Sequence, residues 1–446
     1  MLAQRTALAL NRRGLHYAWV IAAVTFLAML TTSAALGLPG AMLQPLSKEF
    51  GWTTDQLSSV FAVRFVLFGL LGPFAAIFIT RFGLRRVMIT AASLIAVAMV
   101  LATGVTQLWQ LFLLWGLVLG CGTGLTALVL GAMVASRWFT ANRGLVVGLF
   151  AASTATGQLI FLPAAAWMIE HLGWRYAVIP VFIACLVVGL LATLFMRDQP
   201  QDLGLRSYGE PQGAPIGAAT AETPAKTPAE LPSSPPAHAP LNLWGPFQMF
   251  AEVSRSRTFW LLAGTFFICG LSTNGLLQTH FISLCSDNGL SAVPAASVLA
   301  MMGAFDLVGT TLSGYLSDRY DNRKLLFWYY GLRGLSLFWL PYSTFSLYGL
   351  SVFAMFYGLD WIATVPPTVK LVAQEFGKER AGLIFGWVFA AHQLGAAVAA
   401  YGAGLTRTLL LTYNPALFAA GAACLVAALM AMMIARPAAL RLAAAR

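Results

Sequence analysis

The sequence contains continuous apolar runs, each of about 20 residues or more, separated by short polar loops. An α-helix needs about 20 such residues to cross the hydrocarbon core of a bilayer, where only helices and closed barrels satisfy their backbone hydrogen bonds. Because the runs are continuous, they predict helices. The composition agrees, since 59% of the 446 residues are hydrophobic and only 10% are charged, which is too apolar for a soluble domain of this length.

The runs predict an all-α integral membrane protein with twelve transmembrane helices. We therefore expect the lipid bilayer to be its main environment. The predicted spans are 17–42, 56–80, 86–106, 109–135, 144–168, 175–196, 259–284, 292–316, 325–343, 346–371, 381–406 and 414–435.

The basic residues are distributed unevenly between the two sides of the membrane. Most of the 27 Lys and Arg residues lie in the termini and in the loops after even-numbered spans, whereas Lys48, Arg175 and Arg407 lie on the other side. Cytoplasmic loops carry an excess of Lys and Arg. The pattern predicts a multi-pass membrane protein with both termini in the cytoplasm. This topology explains the net charge of +11, so we expect no nucleic-acid partner.

One long hydrophilic segment, residues 197–258, separates the first six spans from the last six. Its middle, Tyr208 to Pro240, is rich in Pro, Ala, Gly and Thr and has almost nothing to bury, which predicts a disordered linker. The following stretch, Leu241 to Arg257, places Trp and Phe near Arg residues. It fits either an amphipathic helix on the inner leaflet or a plain loop.

Two loops at corresponding places in the two halves have related sequences. GYLSDRYDNRK (Gly314–Lys324) joins spans 8 and 9, and AIFITRFGLRR (Ala76–Arg86) joins spans 2 and 3. Internal duplication is typical of secondary transporters. The pattern resembles the Gly-x-x-x-Asp-Arg-x-Gly-Arg-Arg loop of the major facilitator superfamily, although Thr80 replaces the Asp in the first copy. The resemblance implies two six-helix bundles, 1–196 and 259–446.

In that family the loop acid and its basic neighbours are thought to hold the cytoplasmic side closed in one state. A charged pair at a helix terminus can do this by favouring one of two packings. A basic loop that only sets topology is the alternative, but it does not explain Asp318. The residues for which the resemblance implies a gating role are Thr80, Arg81, Arg85, Arg86, Asp318, Arg319, Arg323 and Lys324.

Small residues recur at four-residue spacing in several spans. Such rows allow two helices to approach closely, as a transporter with moving bundles requires. The predicted helix-packing residues are Gly120 and Gly124 in span 4 and Gly144 and Gly148 in span 5.

RWFTANRGLVVGLFAASTATG (Arg137–Gly157) is similar to the aromatic, basic and Gly-rich signature of the monocarboxylate transporter group and its bacterial relatives. LQPLSKEFGW, at the end of span 1, points the same way. In that group, span 8 carries an Asp followed four residues later by an Arg, and span 1 carries a Lys after a Pro. Asp306 stands at the Asp position, but Thr310 and Gly40 stand at the two cation positions. The resemblance implies a proton-linked role for Asp306.

Asp306 lies about 12 residues, or roughly 18 Å of helix, from Asp318 and hence near the middle of the bilayer. A carboxylate at this depth normally faces a cavity or has a partner, and desolvation lets such a group carry a proton at neutral pH. The alternative is a structural acid paired with an Arg or capped by a hydroxyl such as that of Thr310.

Three other charged residues lie deep in the spans. The family arrangement places Arg64 and Asp360 near the cavity, and it makes Arg333 structural. Arg64 either binds a substrate carboxylate with its two-pronged guanidinium or neutralises Asp306 in the resting protein. Asp360 is a second proton-coupling candidate.

Uncharged polar residues add to the predicted site. Asn274 and Gln278 are one turn apart in span 7, and a histidine and a glutamine are adjacent in span 11. A His in a cavity can relay a proton or bind substrate, whereas a lone His is often a packing residue. The predicted substrate-binding residues are Arg64, Asn274, Gln278, His280, His392 and Gln393.

The sequence lacks the motifs of an ATP-driven pump, a zinc protease or a serine hydrolase, so we expect no enzyme, metal or cofactor. We predict a carrier, functional as a monomer, that takes up a small organic anion together with a proton. One alternative is a drug/proton antiporter with aromatic and Met-rich walls. Another is a transporter-like sensor or scaffold that acts through the linker.

Overall fold

The computed structural model describes residues 2–126, 128–210 and 243–435. Within these residues the secondary structure is helical, apart from an isolated bridge between Phe139 and Tyr208. In the first half the long helices are α1 (Ala18–Phe50), α2 (Thr54–Phe82), α3 (Leu84–Ala102), α4 (Leu108–Trp138, with Ala127 outside the described residues), α5 (Arg143–His171) and α6 (Trp174–Phe195). In the second half they are α7 (Arg257–Asp287), α8 (Ala292–Arg319), α9 (Asn322–Trp339), α10 (Leu347–Phe376), α11 (Lys378–Leu410) and α12 (Asn414–Met433).

Eleven of the twelve predicted spans correspond to described helices that are long and apolar enough to cross a membrane. The exception is α9, which has 18 residues but contains Arg323, Lys324 and Arg333. The ends of the spans shift by several residues. For example, α1 was predicted to end at 42, but it runs through Pro39 and Pro45 to Phe50 and stops where Gly51 adopts a φ of 71°.

The two halves contact each other along α2 and α11 and along α5 and α8. We call the end that carries the N-terminal helix Leu2–Asn11 and residues 197–210 the linker end, and the opposite end the far end. Glycines permit the close contact between halves. A Cβ atom on Gly69 of α2 would lie 2.6 Å from the Cβ of Gln393 in α11, so the two backbones approach closely near the middle of the membrane.

The start of the predicted linker is packed onto the first bundle. The Tyr208 N–H donates to the Trp138 carbonyl at 2.9 Å, and the Thr140 N–H donates to the Tyr208 carbonyl at 2.8 Å. Residues 197–210 therefore pack against the loop between α4 and α5 and are hydrogen-bonded to it. Residues 211–242, which hold most of the predicted disordered segment, lie outside the described residues.

The stretch before α7 forms a helix, Gly245–Val253, and not the plain loop that was one of the two alternatives. It lies against α11, where Trp387 Nε1 donates to the Pro246 carbonyl at 3.0 Å. The ring of Phe250 lies 4.8 Å from that of Trp387, and Glu252 forms an ion pair with Arg380. This juxtamembrane helix therefore belongs to the second bundle.

Candidate functional site

A cavity of about 1180 Å³ lies between the bundles. It extends from Gln278 and Gln393, in the membrane interior, to Arg81 and Arg380 at the linker end. Helices α1, α2, α4, α5, α7, α8, α10 and α11 all contribute to its wall. Pockets of this size that combine an apolar wall with a few polar groups are typical of ligand sites.

Polar contacts join the two bundles at the far end. The Thr408 hydroxyl donates to Asp55 Oδ1 at 2.9 Å and accepts from the Asp55 N–H at 3.2 Å. Glu170 Oε1, at the end of α5, accepts from the Ala292 and Val293 N–H groups at 2.9 and 3.3 Å. These contacts place an acid of the first bundle on the exposed N–H groups that begin α8. The cavity is thus open at the linker end and closed at the far end.

Helix α7 carries a stretch of π-helix, Leu271–Gln278. Such segments often occur at functional sites because they widen the helix and turn its side chains. Asn274 and Gln278 line the cavity, as do His392 and Gln393 on α11. Four of the six predicted substrate-binding residues thus share one cavity.

His280 does not lie among the described residues that line the cavity. Its Nε2 is 2.8 Å from the Ala400 carbonyl, and its Nδ1 is 3.3 Å from the Tyr413 hydroxyl. Both ring nitrogens are therefore used in packing α7 against α11 and the start of α12. In this conformation His280 therefore packs helices together, and substrate binding by His280 stays a prediction.

Asp306 is 4% exposed and lies just behind the cavity wall. Its Oδ1 accepts hydrogen bonds from the Thr310 hydroxyl and from the Ile362 N–H, each at 2.9 Å. Thr310 and Ile362 both line the cavity. Arg64 is not the partner of Asp306 here, so the neutralising alternative for Arg64 does not describe this conformation.

Asp360 forms a buried ion pair with Arg333. Arg333 is fully buried, and its Nε donates to Asp360 Oδ2 at 2.6 Å. The same guanidinium donates to the carbonyls of Asp360 and Trp361 at 2.5 and 3.2 Å, and to the sulfur of Cys269 at 3.0 Å. Arg333 thus has the expected structural role, while Asp360 is its partner and does not line the cavity.

These contacts surround a break in α10. The helix is interrupted between Asp360 and Val365, ahead of Pro366 and Pro367, which cannot donate backbone hydrogen bonds. Neighbouring side chains satisfy the freed groups: Asp306 accepts from Ile362, and the Ser313 hydroxyl donates to the Ala363 carbonyl at 2.5 Å. The break is therefore held by α8 and α9.

Arg64 is 2% exposed in α2. Its Nε and Nη1 have no hydrogen-bond partner among the described residues. Its guanidinium lies 4.8 Å from the ring centroid of Phe65 and 5.6 Å from that of Phe61. Arg64 is not among the described residues that line the cavity, so it is a buried cation with unused donors on α2, where its backbone faces Gly120 of α4.

The first of the two related loops, Ala76–Arg86, has no acidic residue of its own and is contacted by Asp198. Thr80 and Arg81 line the cavity, and the Thr80 hydroxyl donates to the Ala76 carbonyl at 2.8 Å. Asp198, which follows α6, accepts from the Arg85 N–H at 3.0 Å. Asp198 thus supplies a carboxylate at the start of α3, where Arg86 is exposed.

The second gating loop forms its contacts within its own bundle. Asp318 pairs with Lys370 of α10 at 2.7 Å, and the Arg319 guanidinium lies 3.6 Å from the Tyr315 ring centroid. Asp321 caps α9 by accepting from the Arg323 N–H at 3.0 Å and pairs with the Arg323 guanidinium at 2.7 Å. Burial raises the pKa of the Asp321 carboxyl, but these hydrogen bonds outweigh it, and the pKa lies below its ordinary value. The adjacent Lys324 is exposed.

The predicted helix-packing glycines behave in two ways. A Cβ on Gly120 would lie 3.1 Å from Leu67, and one on Gly124 would lie 2.9 Å from Leu71, so both glycines admit α2 against α4. Gly144 and Gly148 have open space in the Cβ direction. They lie on the part of α5 at the open linker end, so this conformation does not use them for packing.

The sequence reasoning did not identify Asp198, Glu170 or Cys269 as site residues. Asp198 and Glu170 act on segments more than 100 positions away, and no local pattern marks such a pairing. Cys269 lines the cavity and contacts Arg333. Its only signal was its position in a predicted cavity-lining span.

Comparison with known proteins places the chain among transporters. It is 22% identical over 394 residues to an uncharacterized MFS-type transporter, YcxA, of Bacillus subtilis, with 87% of this chain and 88% of the relative covered. It is 25% identical over 359 residues to monocarboxylate transporter 13 of Bos taurus, covering 78% and 73%. The fold matches a crystal structure of a D-xylose-proton symporter with a TM-score of 0.68 at 15% identity, covering 94% and 98%.

The structural match extends over nearly the whole of both chains, so the described helices have the arrangement of that fold. The family model of the Major Facilitator Superfamily matches residues 21–400 and 307–444. This chain is therefore a membrane transporter, not an enzyme, and it belongs to the Major Facilitator Superfamily.

Proposed function

We propose that this protein is a proton-coupled carrier that takes up a small organic anion by alternating access. The observation that carries the proposal is the buried cluster of Asp306, Asp360 and Arg333. Asp306 accepts a hydrogen bond from the Ile362 N–H, two residues after Asp360, and Asp360 pairs with Arg333, so the three charged groups meet at the break in α10. Two carboxylates and one guanidinium leave one uncompensated negative charge in the membrane interior, which costs several kcal/mol unless a cation neutralises it.

A bound proton satisfies this requirement. Asp306 is the better site for it, because Asp360 is already paired with Arg333 at 2.6 Å. Asp306 also lies next to the cavity, because its hydrogen-bond partners Thr310 and Ile362 both line the cavity wall. A proton arriving from the cavity changes the hydrogen bonding of Ile362, and hence the break in α10 that forms part of the wall. Proton binding thereby acts on the shape of the substrate site.

Three observations support an anionic substrate. Arg81 and Arg380 lie at the mouth of the cavity, where they attract anions from the linker side. Arg64 is buried in α2 with two unused donors, and it becomes an anion partner if a movement of the bundles opens a path to it. The relatives include proteins named monocarboxylate transporters.

The open linker end corresponds to an inward-facing state if the basic loops face the cytoplasm. In this scheme the chain works as a monomer in the bacterial cytoplasmic membrane. Closing the linker end and breaking the far-end contacts at Asp55 and Glu170 gives the outward-facing state. The loops around Asp318 and Arg85 are then the gating elements.

Drug/proton antiport is the second candidate, and the cavity wall favours it. Most of the residues that line the cavity are apolar or glycine, and Phe, Trp and Met side chains are among them. Such walls suit hydrophobic compounds. This candidate gives Arg64 no role with substrate.

The test is uptake by proteoliposomes under an imposed pH gradient, with labelled mono- and dicarboxylates. Asp306→Asn should abolish gradient-driven accumulation but spare exchange, because the site then carries no titratable proton. Arg64→Gln should weaken anion affinity, and Glu375→Gln, at an exposed site on α10, serves as the control. If no anion moves, or if both test variants behave as wild type, the proposal is wrong and drug export becomes the leading candidate.

A further inference from the structure

In the cavity wall, His392 and Gln393 carry buried polar atoms that have no hydrogen-bond partner among the described residues. Among the described residues, buried side-chain atoms without a hydrogen-bond partner occur in several places. Of the residues that contain them, only His392 and Gln393 line the cavity. His392 Nδ1 and both amide atoms of Gln393 are unpartnered, and the two residues are 7% and 1% exposed. Buried polar atoms are normally satisfied, so this point is incomplete without a ligand or water.

Gln393 lies at the meeting of the two bundles. It is close to the middle of the 33-residue helix α11, and its Cβ faces Gly69 of α2. A ligand held there touches the contact along which the bundles move. A substrate bound at the unpartnered atoms can therefore influence alternating access.

Aromatic rings surround this point. The His392 ring centroid lies 5.0 Å from that of Phe266 and 5.7 Å from that of Phe389, to which it is nearly parallel at 11°. Phe68 of the first bundle lies 5.6 Å from Phe389 in an edge-on arrangement. Phe266, Phe389 and Phe68 all line the cavity. A planar apolar group beside the polar point would therefore meet ring faces and edges.

The remainder of the wall is mostly apolar, with Met29, Met133, Phe150 and Trp361 among its members. A second charged group placed against these apolar side chains, away from Arg81 and Arg380 at the mouth, would lose its hydration without compensation. A ligand without an apolar body would leave the rings of Phe266 and Phe389 uncovered and would gain little from burial. The wall selects a ligand with one polar head and a broad apolar body.

We propose that the substrate class is aromatic monocarboxylates, with the carboxylate at Gln393 and His392 and the ring against Phe266 and Phe389. In this arrangement Gln393 Nε2 donates to a carboxylate oxygen. The inference rests on the proposed anion transport, but it goes further by excluding dicarboxylates and short aliphatic acids as preferred substrates.

The test is calorimetric binding to the purified full-length protein with four probes: 3-phenylpropionate, propionate, 3-phenylpropionamide and terephthalate. We expect 3-phenylpropionate to bind at least about tenfold more tightly than each of the other three. Gln393→Leu should reduce 3-phenylpropionate affinity by about tenfold or more. The matched control is Gln248→Leu on the exposed face of the juxtamembrane helix, which should leave binding unchanged.

A second variant, Phe389→Leu, provides a test that does not depend on whether Gln393→Leu folds. Phe389→Leu keeps the wall apolar but removes a ring, so it should reduce the preference for 3-phenylpropionate over 3-cyclohexylpropionate while both still bind. Equal affinity of propionate and 3-phenylpropionate would overturn the substrate class and leave anion transport standing. Equal affinity of the neutral amide would overturn the carboxylate head. Absence of binding by any carboxylate, together with absence of carboxylate uptake, would overturn both proposals.

Discussion

Asp306 accepts a hydrogen bond from the main-chain N–H of Ile362 at 2.9 Å, across the contact between α8 and α10. The donor is free because α10 is interrupted ahead of Pro366. A carboxylate near the middle of the membrane is thus fixed to a helix break that faces the cavity. This relationship connects the proposed proton site to the shape of the substrate site.

The ion pair of Arg333 and Asp360 should be costly to break from one side only. Removing one partner of a buried pair leaves an uncompensated charge and costs about 3–5 kcal/mol, whereas an apolar replacement of both is often tolerated. We expect Arg333→Met to lower the thermal unfolding temperature strongly, and Arg333→Met with Asp360→Leu to recover much of the loss. Thermal unfolding in detergent measures both. A double variant less stable than the single one would contradict the pairing.

The far-end contact of Glu170 should help keep that end closed. Each hydrogen bond is worth about 1 kcal/mol net, so Glu170→Ala should shift the population toward a far-end-open state several-fold. The measurement is the distance distribution between spin labels at Gln107 and Tyr348, both exposed at the far end. Glu375→Ala is the control. An unchanged distribution would show that the contact does not bias the two states.

The glycines of α4 and α5 should respond differently to the same substitution. Gly120→Val forces a side chain into the contact with Leu67 and Arg64, and we expect it to cost about 1–3 kcal/mol through overpacking. Gly148→Val meets open space, so it should leave stability within about 0.5 kcal/mol of wild type. If these α5 glycines pack when the linker end closes, Gly148→Val should still slow transport. A loss of stability equal to that of Gly120→Val would contradict this assignment.

The two carboxylates that cap α3 and α9, those of Asp198 and Asp321, should each stabilise the first turn of the helix. Asp198→Ala should increase amide exchange at residues 84–87, as Asp321→Ala should at residues 322–325, because each removes a cap worth about 1 kcal/mol. The pKa of Asp321 is lowered in the folded protein, so its contribution is present above the ordinary carboxylate pKa. It is lost as the pH falls through the folded value. Hydrogen exchange at residues 84–87 and 322–325 measures the loss of each cap. The same measurement from neutral pH down through the folded pKa of Asp321 measures the loss of the Asp321 contribution in acid.

Local sequence was sufficient for the elements and for much of the cavity. The apolar runs predicted the helices, because a bilayer forces the backbone of such segments to bond internally. The duplicated loop pointed to the superfamily that the family model identifies. Asn274, Gln278, His392 and Gln393 were found because polar residues are rare in membrane spans and usually face a cavity.

Only the tertiary structure decided which polar groups are partners. His280 contacts Ala400 and Tyr413, and Asp360 pairs with Arg333. Asp198 accepts a hydrogen bond from the Arg85 N–H, in a loop more than 100 residues away. These pairings join residues far apart in sequence, and their energies depend on distances of a few ångströms that no local pattern encodes. The sequence by itself therefore determined a helical membrane carrier, and the packing of its two halves decided which charges are satisfied and which atoms remain free for a ligand.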